Sequence, residues 1–125
     1  MPLDDEQTGR IVQLAMDLAR EGRTAELAEF LDHGLPADVL DEGGNSLLML
    51  AAYHGQEETV GMLLERGADP DIRNARDQSP VAGALFKGED AVVARLLAAG
   101  ADLDAGTPSA REAAKMFGRE HLLER

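Results

Sequence analysis

Residues 63–71 read LLERGADPD, and residues 96–104, 33 positions further on, read LLAAGADLD. A recurrence at a fixed period of about 20–50 residues marks an architecture of stacked supersecondary units. The register extends outward from this stretch without a gap. Ser46 falls on Ser79, Ala51 on Ala84, Gly55 on Gly88 and Val60 on Val93. Leu63, Leu64, Gly67, Ala68, Asp69 and Asp71 fall on Leu96, Leu97, Gly100, Ala101, Asp102 and Asp104. Ten identities in one 33-residue window exceed what two unrelated amphipathic segments share.

The punctuation inside each unit is helical. Ser46 is placed to cap a helix running to about Tyr53, and Gly55 breaks it. A second helix carries Val60, Leu63 and Leu64 and ends at Gly67, and Leu63, Leu64, Leu96 and Leu97 are expected to be buried between repeats. Ser79 caps the next unit, with Pro80 at the first helical position, where its missing N–H costs nothing. Gly88 and Gly100 repeat the two breaks. Upstream, Asp4 or Asp5 is a plausible N-cap for a helix over residues 5–20, with Ile11, Leu14, Ala15 and Leu18 forming one buried stripe. Gly22 ends it, and Thr24 is expected to cap a second helix carrying Leu27, Phe30 and Leu31 up to Gly34. Downstream, Ser109 caps a helix through Ala113 and Ala114, Gly118 breaks it, and Leu122 and Leu123 close a final helix. This last unit is shortened at Gly106-Thr107-Pro108. Segments 35–45 and 68–78, rich in Asp, Asn, Gly and Pro, read as turns or hairpins.

Composition bounds the remaining choices. The 125 residues suffice for one domain, 44% are apolar, and only 3% are aromatic. A core of Leu, Ala, Val and Met suits close helix–helix packing better than a β-sandwich. With no cysteine, disulfides, thiolate metal sites and a Cys nucleophile are excluded. The acidic start lacks the basic flank and apolar run of a signal peptide, and no window approaches the ~18 apolar residues of a membrane span. A cytoplasmic protein with no membrane association is expected. Ten Arg against two Lys, with two Ile and two Asn, fits a GC-rich, bacterial genome. The net charge of −12 argues against nucleic-acid binding and favours encounter with basic protein surfaces, besides aiding solubility.

A helix–Gly–helix unit of 33 residues closing on LL-x-x-GAD-x-D resembles the ankyrin repeat, over essentially residues 8–125. The resemblance implies an all-α fold, an α-solenoid of about four stacked helix–turn–helix repeats joined by short hairpin turns. It implies one domain over residues 1–125: an N-terminal capping repeat at about 5–40, repeats 41–73 and 74–106, and a shortened C-terminal capping repeat at 107–125. In that family the hydroxyls at Ser46 and Ser79 cap the inner helix, Ala51 and Ala84 allow close packing, and Asp69 and Asp102 pin the hairpin. Leu47 departs from the usual Pro, and Met49 and Ala82 from the usual His. The usual turn glycine, present as Gly44, is Asp77 in the next repeat. Gly83, inside a predicted helix, should cost about 0.5–1 kcal/mol against Ala and soften its repeat.

In register, the ends of the inner helices form a column of Arg20, Tyr53, Phe86 and Met116. The next column is Glu21, His54, Lys87 and Phe117. The family resemblance places both on the concave face beside the hairpin tips, here Glu42, Gly43, Asn45, Ala75, Arg76 and Gln78. Three of the four aromatics fall in these columns. Rings on a groove suit contact with another protein; packing against the neighbouring hairpin is the alternative. The expected partner-binding set is Tyr53, His54, Phe86, Lys87, Met116, Phe117, Arg20, Asn45, Arg76 and Gln78. The paired acids recur with the repeat, as a structural role requires. His33, His54 and His121 show no metal-binding spacing, and no phosphate loop, nucleophile elbow or catalytic triad is present. The reading is a monomeric protein-binding module without catalysis, cofactor or metal. The alternative is an inhibitor or immunity-type protein that neutralises a basic toxin or enzyme.

Overall fold

Three serines set the start of three helices. The side-chain hydroxyls of Ser46, Ser79 and Ser109 accept the backbone N–H of Met49, Ala82 and Glu112, one turn ahead. In the computed structural model, which describes residues 4–124, seven α-helices follow one another. They are α1 (Asp5–Glu21), α2 (Thr24–Asp32), α3 (Leu47–Tyr53), α4 (Glu57–Glu65), α5 (Pro80–Lys87), α6 (Asp90–Ala98) and α7 (Ala110–Met116), with a 3-10 turn at Glu120–Leu123. Helices α1, α3, α5 and α7 stack as an inner layer; α2, α4, α6 and the 3-10 turn stack behind them. The architecture is an all-helical α-solenoid. Among the described residues the β-structure is a single isolated bridge between Leu40 and Ser46.

The core lies between the two layers. Leu27, Val60, Leu63, Val93 and Leu96 are wholly buried, as are Ala51, Ala84 and Ala114, which let inner helices approach closely. Asp4 caps α1 through a reciprocal pair of bonds with Gln7. Asp77, at φ 59, stands in the left-handed backbone that Gly44 adopts at φ 76 one unit earlier.

Four details differ from expectation. Leu14 is 54% exposed, whereas Leu47, Pro80 and Ala110 at the matching positions are buried. Those three meet the preceding inner helix, and α1 has no described predecessor. Thr24 is the first residue of α2 rather than its cap; its hydroxyl lies 2.7 Å from the Thr59 hydroxyl, tying two outer helices together. Leu64 and Leu97 are partly rather than fully buried, because they lie on the flank of the stripe that Leu63 and Leu96 centre. Leu122 and Leu123 sit in the 3-10 turn instead of a final α-helix.

Neighbouring units are linked by polar ties as well as by the core. The Asp38 carboxylate accepts the Asp69 N–H at 2.9 Å, and the Asp71 carboxylate accepts the Asp102 N–H at 2.7 Å. Asp104 receives Arg111 at 2.9 Å in the next unit. Along the outer layer, Arg66 pairs with Asp32, Arg95 with Glu57 and Arg119 with Asp90. The acids of the repeat are therefore structural.

Candidate interaction groove

The last residues of the inner helices line a shared surface. Tyr53 closes α3 and Lys87 closes α5; His54 and Phe117 follow α3 and α7 as their C-caps. The Tyr53 and Phe86 rings stack with centroids 6.3 Å apart, and Phe117 meets Phe86 edge-on at 5.5 Å. Lys87 places its ammonium 5.0 Å above the Tyr53 ring. The pattern is diagonal. The second-column residue of each unit lies against the first-column residue of the unit before, as Lys87 on Tyr53 and Phe117 on Phe86. His54 extends it toward Arg20: burial, then the charges of Arg20 and Lys87, hold its pKa below the ordinary 6.5.

The surface forms two joined hollows of ≈ 480 and ≈ 420 Å³ that share Tyr53, Arg76 and Gln78. The first is mixed, with Arg20, His54 and Asn45 among its polar lining and Met49, Leu50 and Tyr53 among its apolar lining. The second is apolar, built from Ala82, Phe86, Met116 and Phe117 with Pro108 at its edge. Phe86 is 58% exposed and Phe117 39%, so hairpin packing does not absorb these two rings, while Tyr53 is half-buried. Gly83 explains itself here: a Cβ at this position would lie 3.0 Å from the Met49 methyl and 3.5 Å from the Tyr53 ring. Its absence lets α5 seat the stacked pair.

The expected site residues divide into two groups. Arg20, Tyr53, His54, Phe86, Lys87, Met116 and Phe117 come together along the groove. Of the tips, Asn45 accepts from the Asn74 amide at 2.9 Å and Gln78 accepts from it at 2.8 Å, so both already serve an internal tie. Gly43 also accepts the Ala75 N–H. Arg76 projects without such a role. Eight of the nine described arginines have a carboxylate within ion-pair distance. Arg76 is the exception, and Lys87 has no such partner among the described residues either.

The chemistry offered is that of contact. Among the described residues no cluster of three or more His, Asp or Glu could hold a metal ion. No described helix is long and apolar enough to cross a membrane. A family model of ankyrin repeats, in three copies, matches residues 15–107. The chain belongs to the ankyrin repeat family. It is also 46% identical, over 56 residues, to a Pseudomonas aeruginosa protein named as an ankyrin repeat protein. That match takes in 45% of this chain, which spans only 33% of the relative's length. Ankyrin repeats are in general protein–protein interaction modules and typically non-catalytic.

Proposed function

We propose that this ankyrin repeat protein acts without catalysis, holding a partner protein in its concave groove. The observation that carries the reading is the ladder in which a half-buried Tyr53 leads to the exposed rings of Phe86 and Phe117. In a chain with only four aromatics, ring surface left to water in a concavity favours a partner that covers it, since buried aromatic anchors dominate interface energetics. The acidic exterior repels a second copy, which supports a monomer. We place it in the cytoplasm.

Capture from lysate of the native cell, followed by affinity measurement with the captured partner, tests the groove. Tyr53→Ala and Phe86→Ala should each weaken binding by about thirty-fold, the effect of truncating a hot spot worth ~2 kcal/mol. Glu65→Ala, on the outer face, should bind as the parent does. Equal capture by all three variants would remove the groove from consideration. It would also favour the second reading, an inhibitor that meets a basic toxin or enzyme with its acidic exterior. The net charge of −12 is the observation behind that reading; it calls for capture that weakens steeply with salt.

A further inference from the structure

The groove differs in charge from the molecule that carries it. Asp and Glu make up 24 of 125 residues, yet none lines either hollow. The cations there are Arg20, Arg76 and, over the Tyr53 ring, Lys87. Arg20 is engaged with Asp17. Arg76 and Lys87 have no carboxylate partner among the described residues, in a chain where the other described arginines all do. An unpaired cation beside an aromatic floor is a seat for an anion. A carboxylate there gains charge-assisted hydrogen bonds in a partly desolvated cleft.

From this arrangement we infer that the groove takes an extended acidic segment of a partner protein, with a carboxylate at Arg76 and Lys87 and an apolar side chain on Phe86, Met116 and Phe117. This rests on the groove being the binding site and adds the chemistry of what it binds. Ring-to-ring steps of 6.3 and 5.5 Å correspond to about four residues of extended chain at ~3.3 Å each. The carboxylate and the apolar anchor therefore lie within about four residues of each other. The sign is opposite to what net charge alone suggests. The acidic exterior would turn acidic segments away everywhere but here, so the same charge that slows encounter sharpens placement.

Selection of random linear peptides displayed on phage tests the inference without knowledge of the partner. The parent protein and Arg76→Glu/Lys87→Glu are panned in parallel, with circular dichroism confirming that the variant folds. Enriched peptides should be net acidic with an aliphatic or aromatic residue nearby. Synthetic copies should bind the charge-reversed variant about tenfold or more weakly, in line with loss of an interfacial charge contact. Enrichment of basic or uncharged peptides that still need Tyr53 and Phe86 would keep the groove and overturn the acidic occupant. Acidic peptides indifferent to Tyr53→Ala and Phe86→Ala would place binding elsewhere and overturn both readings. No enrichment also counts against the inference. So does a labelled single-stranded oligothymidine that binds as tightly as the peptides, or light scattering that shows the chain pairing with itself through the groove.

Discussion

Within each LL pair the two leucines are unequal. Leu63 and Leu96 are wholly buried, whereas Leu64 and Leu97 keep part of their surface in water. Leu63→Ala and Leu96→Ala should cost about 2–5 kcal/mol in urea titrations, the range for large-to-small changes in packed cores. Leu64→Ala and Leu97→Ala should cost less, because less apolar area is lost. The repeat identities announced all four leucines alike, since identity in a column reports shared position but not depth. His54 offers a second test at this scale. Its folded pKa lies below the ordinary 6.5 through burial, Arg20 and Lys87. The unfolded chain therefore takes up the proton more readily. His54 costs no stability above about pH 6.5; the penalty grows as pH falls and is complete below the folded pKa. An NMR titration of its ring protons should place the midpoint below 6.5 and show it rising in Lys87→Gln. An unmoved midpoint in that variant would leave burial and Arg20 as the causes.

Among the helices, the caps were the most legible signal. Ser46, Ser79 and Ser109 all accept the expected bonds, and the glycines after α3 and α5 fall where the helices end. Replacing Ser46 or Ser79 by Ala should destabilise by about 0.5–2 kcal/mol. Thr24→Ala should act differently: it frees no N-terminal N–H of α2, and its loss is felt through the Thr59 hydroxyl. The double change Thr24→Val/Thr59→Val should then restore much of what either single change loses, since removing both partners leaves no orphaned group. Chemical denaturation of the three variants checks this. Thr24 was misread because a hydroxyl before an apolar run looks the same whether it turns to its own backbone or to a neighbour. The groove shows the same limit. Register laid the two columns side by side, but besides the Tyr53–Phe86 stack within one column, contacts cross between columns from Lys87 to Tyr53 and from Phe117 to Phe86. Gly83 read as a weakness of α5, and only the packed structure shows the Met49 methyl and Tyr53 ring it admits.

For the whole molecule, the links between units matter as much as the units. A stack in which each unit touches only its neighbours has a stability that sums unit terms and interface terms. Asp71 joins two such units by accepting the Asp102 N–H. Asp71→Ala should lower the urea midpoint modestly, because the exposed N–H finds water, for about 0.5–1.5 kcal/mol. It should also broaden the transition more than Ser79→Ala does, since it weakens coupling between units instead of one helix; equal slopes would contradict that. Among the described residues, the unit of α7 and the 3-10 turn packs on the preceding unit alone. Yet Met116 and Phe117, the apolar end of the groove, belong to this unit. Opening of this unit and loss of the groove's apolar end would thus be one event. A partner seated on Phe117 would brace this unit, slowing hydrogen exchange at α7 far more than at α1. Affinity would then be set in part by how often this unit is closed.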